Sequence, residues 1–193
     1  MGFPDGRVLR DAEPADLPAV VAIYNSTIPG RMVTADLQPV AVETRHSWLA
    51  EHTPDRHPLW VLAAGGEVAA WLSFQPFYGR PAYAATAEVS VYVREDRRGR
   101  GLGGRLLTEA LAACPRLGLC TLLGFVFAHN APSLRLFARL GFQRWGHLPR
   151  IARLDGVERD LVIVGRRVPW ARGVGACNHG PPASVKGAEG GGT

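Results

Sequence analysis

The feature that most constrains this chain is a short glycine-rich segment at residues 98–104, which reads Arg-Gly-Arg-Gly-Leu-Gly-Gly. An alternating apolar segment at 85–93 precedes it, and leucines with helical spacing follow it from Leu102 to Leu111. The chain should therefore pass from a strand into a helix through backbone that can approach a ligand closely. Because the N-terminus of a helix attracts anions, we expect this segment to hold phosphate.

The residues around these glycines distinguish among phosphate-containing ligands. A nucleoside-triphosphate P-loop needs Lys and then Ser or Thr after its last glycine, whereas Arg105 and Leu106 stand here. Gly99, Gly101 and Gly104 match a dinucleotide fingerprint, but the acidic residue required about 20 positions later is missing. A nucleic-acid-binding segment would be repeated and interleaved with aromatic residues. Coenzyme A, which carries a pyrophosphate, is the ligand that remains.

Composition narrows the class of protein. The 193 residues are 47% hydrophobic and 20% charged, as in one soluble globular domain, and the net charge of +5 indicates only non-specific attraction to anions. The longest apolar runs, at 59–64 and 119–127, are too short to span a membrane, and the N-terminus lacks a secretory signal. Cys114, Cys120 and Cys177 show neither metal-ligand spacing nor a disulfide framework. We expect a cytoplasmic protein with free thiols, no metal, and no nucleic-acid or membrane partner.

The hydrophobic pattern predicts a mixture of strands and helices. In chain order it favours a strand at 8–10, a helix after Asp16 as N-cap, a helix between 40 and 52, a hairpin across Gly65-Gly66, a strand at 85–93, the helix after the glycines, a buried strand at 119–127, a helix at 132–140 and a last hairpin across Asp155-Gly156. From residue 169 the sequence is rich in Gly, Pro and Ala. We therefore expect one domain over 1–168 and a disordered tail over 169–193.

Two motifs resemble the GNAT superfamily of N-acetyltransferases. The first is Arg98-x-x-Gly101-x-Gly103, which is similar to the acetyl-CoA signature of that superfamily. The second, an asparagine followed by a short helix and Gly-Phe, corresponds to Asn130, Ser133, Phe137 and Gly141-Phe142. The resemblance covers residues 8–168 and implies an α/β (α+β) GNAT fold, in which a mixed, mostly antiparallel sheet of about six to seven strands is flanked by about four helices. It also implies acetyl-CoA as co-substrate.

The resemblance places the cofactor site in three segments. The phosphates would be held by Arg98, Gly99, Arg100, Gly101, Leu102, Gly103 and Gly104. The backbone N–H groups at a bulge in the strand, over Ser90, Val91, Tyr92 and Val93, would stabilise the thioester oxygen. Asn130 would bind the pantetheine amides, with Ser133 in the same motif. Asn130 can also act as the N-cap of the helix that follows it.

The acceptor site resembles that of the phosphinothricin acetyltransferase group, in the segments Arg80-Pro-Ala-Tyr83 and Thr86-Ala-Glu88. This implies a small primary amine as substrate, such as an amino-acid analogue of the phosphinothricin or methionine sulfoximine type. Glu88 is the expected general base, because the attacking amine must lose a proton. Arg80 would hold a carboxylate of the acceptor, and Thr86 would line the same pocket. Alternatively, Arg80 is solvated or forms a structural ion pair with Glu88.

Other features leave alternatives open. Phe137 stands where many superfamily members have a proton-donating tyrosine, so the general acid is unassigned. The last hairpin lacks the aromatic and glycine pattern of the phosphinothricin group. His129 and His147 are interpreted as loop or interface residues. An acetyltransferase for a protein N-terminus or an antibiotic amine, and a non-catalytic acyl-CoA-binding module, are the alternative functions. The resemblance also allows for a homodimer.

Overall fold

The domain is built on one sheet and four α-helices, and the computed structural model describes residues 2–3 and 6–169. The strands are β1 (Val8–Asp11), β2 (Leu59–Ala64), β3 (Glu67–Pro76), β4 (Thr86–Val93), β5 (Thr121–Phe127), β6 (Gln143–Leu154) and β7 (Val157–Arg167). The helices are α1 (Leu17–Asn25), α2 (His46–Ala50), α3 (Leu102–Ala113) and α4 (Ala131–Arg139). The strand order is β1-β2-β3-β4-β5-β7-β6, and only β4 and β5 pair in parallel. The expected mixed, mostly antiparallel sheet is confirmed.

Both predicted hairpins are present, and each turns through two residues. Gly65 and Gly66 have φ values of 61° and 84°, and Asp155 and Gly156 have values of 47° and 83°. Two consecutive positive φ angles match the right-handed twist of the strands that they join, which is why glycine marks such turns in a sequence. The turns connect β2 to β3 and β6 to β7.

Asp16 precedes α1 as expected, but its side chain does not cap the helix. Its carboxylate accepts hydrogen bonds from Arg10 at 2.6 and 2.9 Å and from the backbone N–H of Glu13 at 2.8 Å. Asp16 already has helical backbone angles because a short 3-10 turn leads into α1, so its side chain points back toward β1. Asp16 therefore occupies the predicted N-cap position, but its side chain joins the first strand to the first helix instead of capping the helix.

The sheet is covered on both faces, and β4 contributes to each. Ala87 and Val89 face the larger core, where they pack with the buried residues of α3. Tyr92, on the opposite face, packs on a smaller cluster that α1 and α2 cover around Trp71. Strand alternation explains this division, since successive side chains point to opposite sides of a sheet. Glu88 and Ser90 consequently share the α1 side with Tyr92.

β4 and β5 separate along their length and leave a cleft between them. Their pairing covers Thr86 to Glu88 only, while β4 stays paired with β3 as far as Val93 and β5 stays paired with β7 as far as Phe127. The pairing of β4 with β3 runs without a register shift, so the bulge that we expected in β4 is not seen on that side. The backbone of β4 beyond Glu88 is instead exposed by the divergence from β5.

Several other expectations can be compared with the described residues. Cys114 and Cys120 are buried and are not joined in a disulfide, and burial raises the pKa of Cys114 to about 12, which makes it unreactive. Cys177 and nearly all of the expected tail lie outside the described residues. In residues 2–3 and 6–169, the helices are all too short or too polar to cross a bilayer. The same ranges contain no group of three or more His, Cys, Asp or Glu side chains placed to hold a metal ion.

Candidate active site

The glycine-rich segment forms the turn into α3, as predicted. Gly99 and Gly101 have φ values of 75° and 77°, and a Cβ atom added at either would meet no atom within 4 Å. The requirement for glycine is therefore conformational rather than steric. Gly101 is the N-cap of α3 and offers no side-chain cap, so the first N–H groups of the helix remain available to an anion. These features fit a coenzyme A pyrophosphate.

The arginines around this turn differ in what they contact. Arg94 forms ion pairs with Glu67 at 2.9 Å and with Asp96 at 2.7 Å. Arg105 lies over the Phe3 ring, 3.7 Å from its centroid. Arg98 and Arg100 are exposed at the turn itself, although Arg98 also donates to the Val93 carbonyl at 3.3 Å and lies 3.8 Å from Glu95. Because these two lie within the turn, their charges add to the positive potential there.

Gly103 belongs to the same motif but serves packing. A Cβ atom at this position would lie 3.2 Å from the Leu136 side chain of α4, closer than ordinary contact. At Gly104 the corresponding distance is 3.6 Å, which is normal. Gly103 therefore lets α3 approach α4. The sequence motif alone does not show whether a glycine in it is needed for helix packing or for phosphate binding.

The cleft between β4 and β5 brings most of the predicted thioester and pantetheine residues together. It has a volume of about 40 Å³ and is lined by Val33, Val89, Ser90, Val91, Tyr92, Phe125, Val126, Asn130, Ser133 and Phe137. The N-terminus of α4 closes one side, and the diverging β4 backbone forms another. The cleft offers backbone and hydroxyl groups in a largely apolar channel.

Asn130 acts as the N-cap of α4. Its side-chain oxygen accepts a hydrogen bond from the Ser133 N–H at 3.1 Å, and its amide donates to the Met32 carbonyl at 2.9 Å. The neighbouring His129, which lies in the loop before α4, donates to the Arg31 carbonyl at 2.8 Å. These bonds fasten residues 31–32 beside the cleft. The contact of Asn130 with pantetheine stays a prediction.

Phe137 is a core residue that faces the cleft. It is 4% exposed, and its ring packs edge-on against Phe142 with centroids 4.9 Å apart. Its position depends on Gly124 in β5, where a Cβ atom would lie 3.0 Å from the ring. A side chain buried in this way and without a hydroxyl group cannot protonate a thiolate.

A second cavity, of about 200 Å³, lies on the α1 side of β4, and we call it the acceptor pocket. It is lined by Val20, Val21, Tyr24, Val40, Arg45, Trp48, Trp71, Ser73, Gln75, Glu88, Ser90 and Tyr92. Three of its wall residues, from β3, lie directly across from three of β4 in the pairs Trp71–Tyr92, Ser73–Ser90 and Gln75–Glu88. Ser90 and Tyr92 border both the pocket and the cleft, so the two cavities meet at β4.

Glu88 lies in this pocket without a partner. Burial raises the pKa of its carboxyl group, and it forms no hydrogen bond or ion pair with any residue that the structure describes. The alternative ion pair with Arg80 is therefore absent. A half-buried carboxylate without a partner favours the neutral form and so accepts a proton more readily than an exposed one.

Arg80 and Thr86 are not brought into the pocket. Arg80 is exposed and precedes a short 3-10 turn at residues 81–83. Thr86 shares a strand face with Glu88 but pairs with Thr121 of β5 and does not line the cavity. The structure places Glu88 with Ser90 and Tyr92, and leaves the two predicted substrate residues outside.

The sequence reasoning missed much of the pocket wall, above all Arg45, Trp48 and Trp71. Trp71 stacks on Tyr92 with ring centroids 4.2 Å apart and meets Trp48 edge-on at 5.9 Å. One signal was available, because the polar residues Ser73 and Gln75 alternate with apolar residues in the second half of β3. Such an alternation indicates a face that borders something other than core. No local signal marked Arg45 or Trp48.

The fold and the two cavities agree with the resemblance noted in the sequence. Residues 20–142 match the acetyltransferase (GNAT) family. The chain belongs to this family, and it is an acetyltransferase by class, as expected. Members of the family use acetyl-CoA, which the glycine turn fits. The predicted fold class and enzyme class are both confirmed.

Among its relatives, the chain is 56% identical to YwnH of Bacillus subtilis, which carries a provisional assignment as a phosphinothricin acetyltransferase. The match spans 161 residues, 83% of this chain and 98% of YwnH. It is 34% identical over 160 residues to an L-methionine sulfoximine/L-methionine sulfone acetyltransferase of Pseudomonas paraeruginosa, covering 81% of this chain and 91% of that enzyme. The resemblance to the phosphinothricin group is thereby confirmed.

Solved structures give the same result. The crystal structure of a protein provisionally assigned as a phosphinothricin N-acetyltransferase is 55% identical, with a TM-score of 0.81, and covers 85% of this chain and 99% of that one. A phosphinothricin acetyltransferase from Sinorhizobium meliloti, solved in complex with AcCoA, is 26% identical with a TM-score of 0.79. That match covers 84% of this chain and 88% of the other.

Proposed function

We propose that this acetyltransferase moves the acetyl group of acetyl-CoA to the primary amine of a small amino-acid analogue of the phosphinothricin or methionine sulfoximine type. Transfer is direct, in a ternary complex, with Glu88 as general base. The observation that carries the proposal is the position of Glu88, half-buried and without a partner, in a pocket that meets the β4–β5 cleft. The names of two relatives supply the substrate class.

The glycine turn and the cleft support the assignment of the cofactor. The open backbone at Gly99 and Gly101 and the free N–H groups of α3 would hold the pyrophosphate, with Arg98 and Arg100 beside it. The cleft would take the pantetheine arm, and the β4 backbone over Ser90 to Val93 would face the thioester. Developing charge on a carbonyl oxygen is stabilised most by such fixed N–H donors.

Glu88 would supply the proton acceptor that the reaction needs. An amine can attack the acetyl carbon only as the neutral form, so a proton must pass from its ammonium group to the carboxylate, directly or through a water molecule. The new bond joins the amine nitrogen to the acetyl carbon, and the carbon–sulfur bond breaks. The nitrogen loses a second proton as the amide forms, and this loss balances the proton that the thiolate takes up. The donor of that last proton is not Phe137, and Ser90, Tyr92 and Ser133 are the hydroxyl groups that border the cleft.

The experiment that tests this function is an acceptor screen that follows release of the free thiol from acetyl-CoA. L-methionine sulfoximine, L-methionine sulfone and phosphinothricin represent the proposed class, and an aminoglycoside and a peptide with a free N-terminus represent the alternatives. We expect saturable turnover with the first class, compared with a reaction that lacks acceptor. Turnover with the peptide or the aminoglycoside only would overturn the substrate proposal and leave the acetyltransferase class intact.

We also infer that two copies of the chain pair through β6, which lies at the edge of the sheet. This strand is long, with unpaired backbone groups along one side, and it exposes 46% of Trp145 and 60% of Ile151. An edge of this kind can pair with its own copy across a twofold axis. Analytical ultracentrifugation should give a dimer that Trp145→Glu converts to monomer. A monomeric parent at micromolar concentration would contradict the inference.

The remaining expectations stay predictions. They are a cytoplasmic location, independence from metals, no nucleic-acid partner, and the role in acceptor binding that the family resemblance gives to Arg80 and Thr86; for Arg80, an alternative residue is proposed below. Each rests on the sequence or on the family resemblance alone.

A further inference from the structure

Arg45 provides the positive charge of the acceptor pocket. It is the one basic residue among the described residues that line the cavity, and Glu88 is the one acidic residue. The two come from distant parts of the chain, because Arg45 directly precedes α2 whereas Glu88 lies in β4. The other lining residues are apolar, aromatic or neutral and polar. The pocket therefore presents one charge of each sign to whatever enters it.

Two aromatic rings hold the Arg45 side chain in place. Its guanidinium carbon lies 5.4 Å from the centroid of the Tyr24 ring and 5.5 Å from that of Trp48. The Tyr24 hydroxyl is itself fixed by hydrogen bonds to Thr34 at 2.5 Å and to Asp36 at 2.6 Å. Contact with aromatic faces positions a guanidinium group without using its N–H donors. The side chain is thus oriented before any ligand binds.

Its N–H donors remain available. The nearest anion is Asp36, whose carboxylate oxygen lies 3.9 Å from the guanidinium, beyond hydrogen-bonding distance. Within the described part of the chain, Arg45 makes no hydrogen bond. The Asp36 carboxylate is instead engaged by Tyr24. By comparison, the exposed Arg80 lies outside the pocket and has no such aromatic support.

We propose that Arg45, rather than Arg80, binds the acidic group of the acceptor. This rests on the proposed function and names the residue that selects its substrates. The guanidinium group donates two parallel hydrogen bonds to the carboxylate, while Glu88 receives the proton of the amine at the other charged point of the pocket. An acceptor therefore needs an amine and an acid in one small molecule, and simple amines are poor substrates.

The test compares each acid with its own ester in the full-length protein. L-methionine sulfone and its methyl ester have the same amine and side chain, and only the acid carries the charge. A charge-assisted pair of this kind corresponds to about 10- to 100-fold in affinity. We expect the parent to prefer the acid in kcat/KM by about that factor, and Arg45→Gln to remove the preference through a higher KM for the acid alone.

The control is Arg116→Gln. Arg116 also lies over an aromatic ring, Trp60, at 5.6 Å, but it is exposed and does not line the pocket. This variant should retain the preference for the acid. The preference is the ratio of kcat/KM for the acid to kcat/KM for the ester, measured with the same protein preparation. A partial loss of folded protein in Arg45→Gln lowers both values equally and leaves the ratio unchanged.

The outcomes separate this proposal from the proposed function. If Arg45→Gln acetylates the ester like the parent and loses the preference for the acid, the assignment is supported. If the preference survives in Arg45→Gln, or if the parent accepts acid and ester equally, Arg45 does not bind the acid, although the enzyme still acetylates amino-acid analogues. Acetylation of neither probe would overturn both proposals.

Discussion

The glycine turn and the acceptor pocket are built in opposite ways, although both depend on β4. The turn is continuous in sequence at residues 98–104, and it offers backbone N–H groups whose exposure depends on two positive φ angles. The pocket is assembled from side chains that lie between Val20 and Tyr92, on α1, α2, β3 and β4 and on the segment before α2. The turn should therefore be sensitive to backbone conformation, whereas the pocket should be sensitive to individual side chains. The first can be recognised in a sequence, and the second cannot.

Glu88→Gln tests whether the pocket depends on individual side chains, because the substitution changes one side chain and leaves the backbone unaltered. Removal of a general base lowers rates by about 10²–10⁴. We expect kcat to fall by this amount while calorimetry shows unchanged binding of acetyl-CoA. Glu109→Gln, on α3 and outside both cavities, is the matched control and should keep its rate. A kcat within about threefold of the parent would remove Glu88 from the mechanism.

The pH profile gives the same test a second readout. Because burial raises the pKa of Glu88, the base is protonated, and the parent inactive, at pH values where an ordinary glutamate is already ionised. The rate of the parent should rise with pH through this raised pKa. Glu88→Gln should lack that limb and should recover partly at high pH, where more of the amine is already neutral. An acidic limb unchanged by the substitution would assign it to another group.

Gly101→Val tests whether the glycine turn depends on its backbone conformation. A β-branched residue at a φ of 77° adds strain of about 1–3 kcal/mol, which the turn relieves by leaving its binding conformation. This corresponds to a loss of acetyl-CoA affinity of about 5- to 150-fold, measurable by calorimetry. The control is Gly156→Val, because Gly156 has a similar φ of 83° and open surroundings in the β6–β7 hairpin. This variant introduces the same kind of backbone strain at a position away from the glycine turn. Equal affinities in the two variants would show that the turn does not contact the cofactor.

A smaller effect is expected at Arg80, which lies outside the pocket. Arg80→Ala should change the acceptor KM by less than about threefold and leave the acetyl-CoA KM unaltered, since surface substitutions usually cost less than about 0.5 kcal/mol. Initial rates with L-methionine sulfone measure both constants. A tenfold rise in the acceptor KM alone would restore the role that the family resemblance gives to Arg80. It would also mean that the pocket is incomplete in a single copy of the chain.

The smallest predicted effect is on stability. A carboxyl group whose pKa is raised by folding destabilises the folded state when it is ionised, and this penalty grows as pH rises from the unfolded pKa to the folded one. Glu88→Gln has no such penalty. The variant should therefore melt at a slightly higher temperature than the parent at neutral pH, and the difference should vanish in acid. A lower melting temperature at neutral pH would show that the ionised carboxylate is stabilised in the fold.

Much of the fold followed from local patterns. The two hairpins were recognisable because consecutive positive φ angles require particular residues, as at Gly65-Gly66 and Asp155-Gly156. The faces of β4 followed from strand alternation, which placed Glu88 opposite Ala87 and Val89. Asp16 occupies the predicted N-cap position, but its side chain binds Arg10 of the preceding strand instead of the helix N–H groups. Pairing of that kind is not visible in local sequence.

The sequence by itself determined the family, the strand that carries Glu88 and the glycine turn that leads into α3, because each depends on residues close together along the chain. The tertiary structure alone decided which side chains share the pocket with Glu88. Arg45 and Trp48 reach it only when α2 packs on the sheet, and Trp71 only when β3 pairs with β4. It also decided that the Asn130 amide donates to the Met32 carbonyl and that β4 and β5 diverge. Contacts between segments distant in sequence are set by the packing of the whole domain, and no local periodicity records them.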